Sequence, residues 1–212
     1  MKKNKSTFNF ANVITFIRIV LLFIASFFIL SDNGSRLAAL YLIVIIFILD
    51  YFDGYVARKL NCTTDFGSLL DITADRVIEA VLWIIFAHLG YISVWIPIIV
   101  ITIGYITDSI REYAFTKGLR PFGEISMLKS RLSQFVVSSV FMRFSYSLLK
   151  CVTFSLLVIV MIDEDKGNAS GHLDLLSEAA KYLVITTVGV CIIRAVPVVI
   201  EGLRLFHMGK TK

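Results

Sequence analysis

Polar chemistry is scarce in this chain. Only 17% of its 212 residues are charged, and histidine and cysteine number three each, where soluble domains carry about 25% charged residues. Cys62, Cys151 and Cys191 are scattered, odd in number and without metal-ligand or redox spacing, which excludes a zinc module, a disulfide framework and a dithiol centre. They read as small apolar helix residues. There is no glycine-rich phosphate loop of the G-x-G-x-x-G or G-x-x-x-x-G-K kind, so any nucleotide site has to be built from helix side chains. No low-complexity linker and no basic soluble module is left over, and this excludes nucleic acid as a partner despite the net charge of +5. A second copy of the D-x-x-D-G stretch at 50–54 is also missing, which counts against an inverted-repeat transporter.

What fills the chain instead is apolar residue, 57% of the total, with a mean hydropathy of +0.81. Stretches long enough to cross a bilayer core of about 30 Å lie at roughly 12–30, 36–57, 69–90, 91–115, 132–161 and 178–204. They predict an all-α membrane bundle of six transmembrane helices in one domain, 1–212. The run after "MKKNK" is too long for a signal peptide and lacks a small-residue cleavage site, so it is read as the first helix. Lys2, Lys3, Lys5, Arg58, Lys59, Lys117, Arg120, Lys129, Arg131, Arg204, Lys210 and Lys212 all fall on one side of such a bundle. Positive charge marks the cytoplasmic side, which predicts cytoplasmic termini and cytoplasmic loops at 58–68 and 116–131, attracted to anionic headgroups. The polar loop at about 162–174, with a weak N-x-S acceptor pattern at Asn168, then faces outward.

Against this background "LDYFDGYVARKLNCTTDFGSLLDITADR", residues 49–76, carries four acids. Asp50, Asp53 and Ala57 recur at i, i+3 and i+7, and Asp71 and Asp75 at i and i+4, so each set shares one helix face. A short loop holding Arg58 and Lys59 is expected to bring the two faces together. An aspartate at mid-membrane costs about 2.5–3.5 kcal/mol, and like charges raise one another's pKa. The cluster therefore requires protons or cations. Carboxylate oxygens with no nearby His or Cys suit a hard ion, Mg²⁺ or Mn²⁺, and four could hold two. The competing reading is a solvated network with Arg58, Lys59 and Arg76. Gly54 and Ala57 favour a ligand by letting it come close, and the fork of Arg58 suits phosphate oxygens.

Asp50-x-x-Asp53-Gly54-x-x-Ala57-Arg58, then eight residues, then Gly67-x-x-x-Asp71-x-x-x-Asp75 resembles the full signature of the CDP-alcohol phosphotransferase family. The resemblance implies transfer of a phosphatidyl or similar group from a CDP-lipid to an alcohol with release of CMP, and two divalent cations on Asp50, Asp53, Asp71 and Asp75. It implies that Asp75 deprotonates the acceptor, that Asp53, Gly54, Ala57, Arg58 and Gly67 shape the CDP site, and that the enzyme is a homodimer.

"NVITFIR", with Asn12, Thr15 and Arg18, resembles the N-x-x-T-x-x-R opening of the family's phosphatidylglycerophosphate synthases, although Ala11 stands where proline is usual. "REYAFTKGLR", with Arg111, Glu112, Gly118 and Arg120, and "LKSRLSQ", with Lys129 and Arg131, resemble their R-E and K-x-K stretches. These cations imply an acceptor that carries phosphate, glycerol 3-phosphate first. Their plain alternatives are an interfacial anchor for Arg18 and cytoplasmic-side charge for the rest. "DITADR" departs from the D-P-x-A-D-K of those synthases toward members that transfer to inositol phosphate, the second choice. Inositol, serine and phosphatidylglycerol are weaker options, and the motif serves ester and ether lipids alike. A different class, a cation or proton path lined by the acids, stands as the contrasting expectation.

Overall fold

A computed structural model describes residues 10–31, 35–59, 65–116, 135, 137, 139–167 and 171–209, the side chains of 10, 11, 53–59, 65, 66, 68, 140, 171, 172 and 206–209 excepted. Among the described residues six helices are defined: α1 (Phe10–Leu30), α2 (Arg36–Lys59), α3 (Asp65–His88), α4 (Trp95–Thr116), α5 (Val140–Asp165) and α6 (Gly171–Gly209). No strand occurs among the described residues.

Three of the helices hold stretches long and apolar enough to cross a membrane: Asn12–Leu30, Phe141–Asp165 and Leu173–Leu205. In α1 the buried face runs Thr15, Arg18, Leu22, Ala25, Ser26 and Ile29, while Phe16, Val20, Phe23, Phe27 and Leu30 are exposed. Polar residues inside and phenylalanine outside invert the pattern of a water-soluble helix, as a lipid-facing surface does. The helices α2, α3 and α4 have 24, 24 and 22 residues, length enough at 1.5 Å per residue, but their acids and arginines dilute the apolar signal.

Several boundaries differ from those expected of the sequence. Arg58 and Lys59 continue α2 instead of forming a loop, and α3 begins at Asp65, so the acidic segment is more helical than expected. The polar segment at 162–174 is mostly helix: α5 runs to Asp165, Gly167 turns at φ 65°, and α6 starts at Gly171. Its polar residues are those that terminate and start helices, which is why composition alone suggests a loop. Pro197 lies inside α6, where it removes one backbone donor, a loss that membrane helices tolerate.

The chain packs as two compact units, 1–93 with 151–181 and 94–150 with 182–212. In the first, α1 packs on α2 and α3. Phe154 of α5 meets Trp83 at 4.8 Å and Phe86 at 6.0 Å between ring centroids, and Phe47 at 6.3 Å, joining α2, α3 and α5. At the far end of this unit Gly90, at φ 82°, closes α3 with bonds from Gly90 N to Ala87 O and from Tyr91 N to Phe86 O, a left-handed cap that few residues but glycine adopt easily. The turn delivers the Tyr91 hydroxyl to the Glu164 carboxylate, and beside it Arg36 donates to Asp165 and to the Met161 carbonyl. In the second unit Ala114, Val137 and Val198 form a buried cluster with Ile110 and Leu205.

Candidate active site

The end of α2 and the first turns of α3 put Asp50, Asp71 and Asp75 together because i, i+4 spacing aligns the α3 acids and α1 packs against both helices. One carboxylate oxygen from each lies within 4.8 Å of the others. Into this group reaches Arg18 from α1, itself 2% exposed. Its Nη2 meets Asp50 Oδ1 at 2.7 Å and donates to Asp75 Oδ1 at 2.6 Å, and its Nη1 donates to Asp71 Oδ1 at 3.1 Å. The aspartates are more open, 22%, 42% and 45% exposed at Asp50, Asp71 and Asp75. A buried guanidinium thus forms the floor and three carboxylates the accessible wall. Three like charges this close repel, and the shared arginine offsets part of that repulsion. All-oxygen donors at this spacing fit a hard divalent cation, to which Asp50, Asp71 and Asp75 could supply the ligands.

The expected roles of other residues divide sharply. Arg18 is not an interfacial anchor, since it is buried on the acids. Thr15 is buried on the same face of α1 and Asn12 half-buried. Arg76, expected to pair with the aspartates, makes an ion pair with Glu79 at 3.5 Å. Gly67 sits half-buried in the first turn of α3. Asp53, Gly54, Ala57 and Arg58 are helical residues of α2 whose side chains lie outside the described residues, so the structure brings together three of the four acids. Lys129 and Arg131 also lie outside them. Arg111, in the second unit, is held by Asp108 at 3.3 Å.

Glu79 is a residue that the motif and its spacing do not point to. It is 4% exposed, one turn beyond Asp75 on the buried face of α3, and an acid at i+4 from Asp75 within an apolar run is signal enough to find it.

The model of the family described as CDP-alcohol phosphatidyltransferase matches residues 8–206, nearly the whole chain. The chain belongs to that family. Three relatives carry the name CDP-diacylglycerol–glycerol-3-phosphate 3-phosphatidyltransferase. The protein of Rickettsia typhi is 30% identical over 133 residues, 61% of this chain and 74% of the relative. That of Wigglesworthia glossinidia brevipalpis is 31% identical over 156 residues, 71% and 82%, and that of Escherichia coli K12 is 30% identical over 125 residues, 57% and 68%. As a CDP-alcohol phosphatidyltransferase with three helices able to span a bilayer, the chain is an integral membrane transferase.

Proposed function

We infer that this enzyme transfers the phosphatidyl group of CDP-diacylglycerol to glycerol 3-phosphate, forming phosphatidylglycerophosphate and releasing CMP. The observation that carries the reading is the convergence of Asp50, Asp71 and Asp75, with oxygens within 4.8 Å, at the positions of the family signature. The names of the three relatives support glycerol 3-phosphate over inositol phosphate as acceptor, and family membership supports group transfer over an ion path.

Asp50, Asp53, Asp71 and Asp75 would hold two Mg²⁺ or Mn²⁺ ions, which offset the diphosphate charge and stabilise the departing CMP oxygen. Asp75, exposed on one side and anchored by Arg18 on the other, takes the proton of the acceptor hydroxyl as that oxygen attacks phosphorus in line and the bond to CMP breaks. Asp53, Gly54, Ala57, Arg58 and Gly67 border the CDP moiety. Arg111, Lys129 and Arg131, with Asn12 and Thr15, supply charge and hydrogen bonds for the acceptor phosphate. Six spans in a single family domain, both termini cytoplasmic, put this chemistry at the cytosolic headgroup level while the acyl chains remain in the bilayer, and the active form is a homodimer. Positive-side charge supports the topology.

The test is CMP release by purified protein given CDP-diacylglycerol and Mg²⁺ or Mn²⁺, with glycerol 3-phosphate, inositol phosphate, inositol and serine as separate acceptors. Release that depends on glycerol 3-phosphate is the expected result. Dependence on another acceptor would change the substrate, and folded protein releasing CMP with none of them would remove the transfer reading.

A further inference from the structure

The outward ends of α1, α2 and α3 are tied together. The Ser35 hydroxyl donates to the Phe28 carbonyl across the α1–α2 turn at 3.5 Å, and Arg36 and Tyr91 join Asp165 and Glu164 at the end of α5. Measured inward from those ends at 1.5 Å per residue, Arg18 lies about 18 Å from Leu30, Asp50 about 21 Å from Arg36 and Asp75 about 20 Å from His88. A hydrocarbon core is about 30 Å thick, so about 10 Å of it remains on the cytosolic side of the acids. Helix tilt shortens the depth spanned and widens that remainder. The outer surface of the same helices agrees. Exposed apolar side chains continue past the site, with Val13 beyond Arg18, Phe52 beyond Asp50 and Leu69 beyond Asp75, at 36%, 53% and 63% exposure. On α1 and α3 this continuation measures about 8–9 Å, close to the thickness left over. Were the surrounding headgroups to descend to the acids, these side chains would stand in water.

We propose that the reaction centre lies about 10 Å inside the cytosolic edge of the hydrocarbon core, and that the enzyme draws its CDP-lipid inward by that distance before transfer. The inference rests on the six-span transfer reading above and deepens it: the site opens at the cytosolic headgroup level, and the acids stand at its floor. Arg18 and the three aspartates give that floor a polar lining, and intramembrane charges of this kind face water-filled cavities. A lipid drawn inward crowds its acyl chains against the opposite leaflet, and a thicker core lengthens the excursion. Capture of the CDP-lipid, more than the chemical step, therefore responds to bilayer thickness.

The experiment has two arms, both on the full chain in proteoliposomes. In the first, Cys62, Cys151 and Cys191 are replaced by alanine, and nitroxide labels are placed singly at Val13→Cys, Val20→Cys and Leu69→Cys, in proteins shown to release CMP. Power saturation then compares collisions with oxygen, which concentrates in hydrocarbon, and with a water-soluble nickel chelate. Labels at Val13 and Leu69 are expected to favour oxygen, as the deeper label at Val20 does. Preference for the nickel chelate at Val13 and Leu69 would put the acids at the water boundary and overturn the proposal. In the second arm, native protein is assayed in dimyristoleoyl-, dioleoyl- and dierucoyl-phosphatidylcholine. The expected result is a KM for CDP-diacylglycerol that rises several-fold from the thinnest to the thickest bilayer, with the KM for glycerol 3-phosphate little changed. A KM for the CDP-lipid that ignores thickness overturns the inward draw. Failure of the underlying reading shows separately: no CMP release in any bilayer removes the transfer, and labelling of cysteines at Lys3 and Lys166 from the same side removes the six spans.

Discussion

Asp75 accepts a 2.6 Å bond from Arg18 and still has 45% of its side chain exposed, which suits a base that must be held in place and yet meet a substrate. Asp75→Asn retains shape and the acceptor oxygen but not the proton affinity, so turnover should fall by roughly 10²–10⁴-fold with an unchanged melting profile in detergent. Near-normal turnover would assign the proton to another group. Arg111→Ala should raise the KM for glycerol 3-phosphate several-fold more than that for CDP-diacylglycerol, and equal KM values in variant and native protein would leave Arg111 with a topological role. The acids are legible in the sequence because their signal is local: i, i+3 and i, i+4 spacing puts them on helix faces. Arg18 is legible as unusual but not in its destination, since its partners Asp71 and Asp75 lie 53 and 57 residues away and no periodicity within α1 encodes them.

At the scale of elements, the all-helical character follows from hydropathy, while the helix ends do not, because capping residues and loop residues share a composition. Two contacts between elements carry predictions. A Cβ on Gly202 of α6 would lie 2.5 Å from Cγ2 of Ile110 on α4, so Gly202→Ala should destabilise the protein by about 1–3 kcal/mol through overpacking. Adding Ile110→Ala should recover part of that loss in a thermal-denaturation cycle, whereas strictly additive losses would show that the two side chains do not collide. At the α3–α4 turn, burial and then the Glu164 carboxylate push the Tyr91 hydroxyl above its ordinary range. The neutral phenol is therefore the form that the fold favours. Its contribution is complete below the ordinary tyrosine value of about 10 and declines as pH rises beyond it. Tyr91→Phe should cost about 0.5–1.5 kcal/mol at pH 8, and the gap between the two proteins should narrow at pH 11. A pH-independent gap would mean the ring, not the hydroxyl, does the packing.

For the whole molecule, two polar groupings among the described residues of the first unit stand apart: the aspartate site with Arg18, and the clasp of Arg36, Asp165, Tyr91 and Glu164 at the far end of the same helices. Between them stand Trp83, Phe86, Phe154 and Phe47. The proposed six-span topology predicts that a cysteine introduced at Lys3 is labelled by a membrane-impermeant maleimide only after the cytoplasmic side is opened, and one at Lys166 in intact cells. The reverse pattern would invert the enzyme in its membrane. The pairing of Arg18 with acids on later helices also has a meaning for biogenesis. Synthesis delivers α1 first, with an arginine that is costly to leave in lipid, then α2 with Asp50, then α3 with Asp71 and Asp75. Each helix alone enters the bilayer at a disadvantage of about 2.5–3.5 kcal/mol per charge at mid-depth, and that disadvantage lessens only as its partners arrive. The order of birth along the ribosome thus becomes an order of assembly, in which the first helix waits for the third and the reaction centre serves as the fastener of the nascent protein.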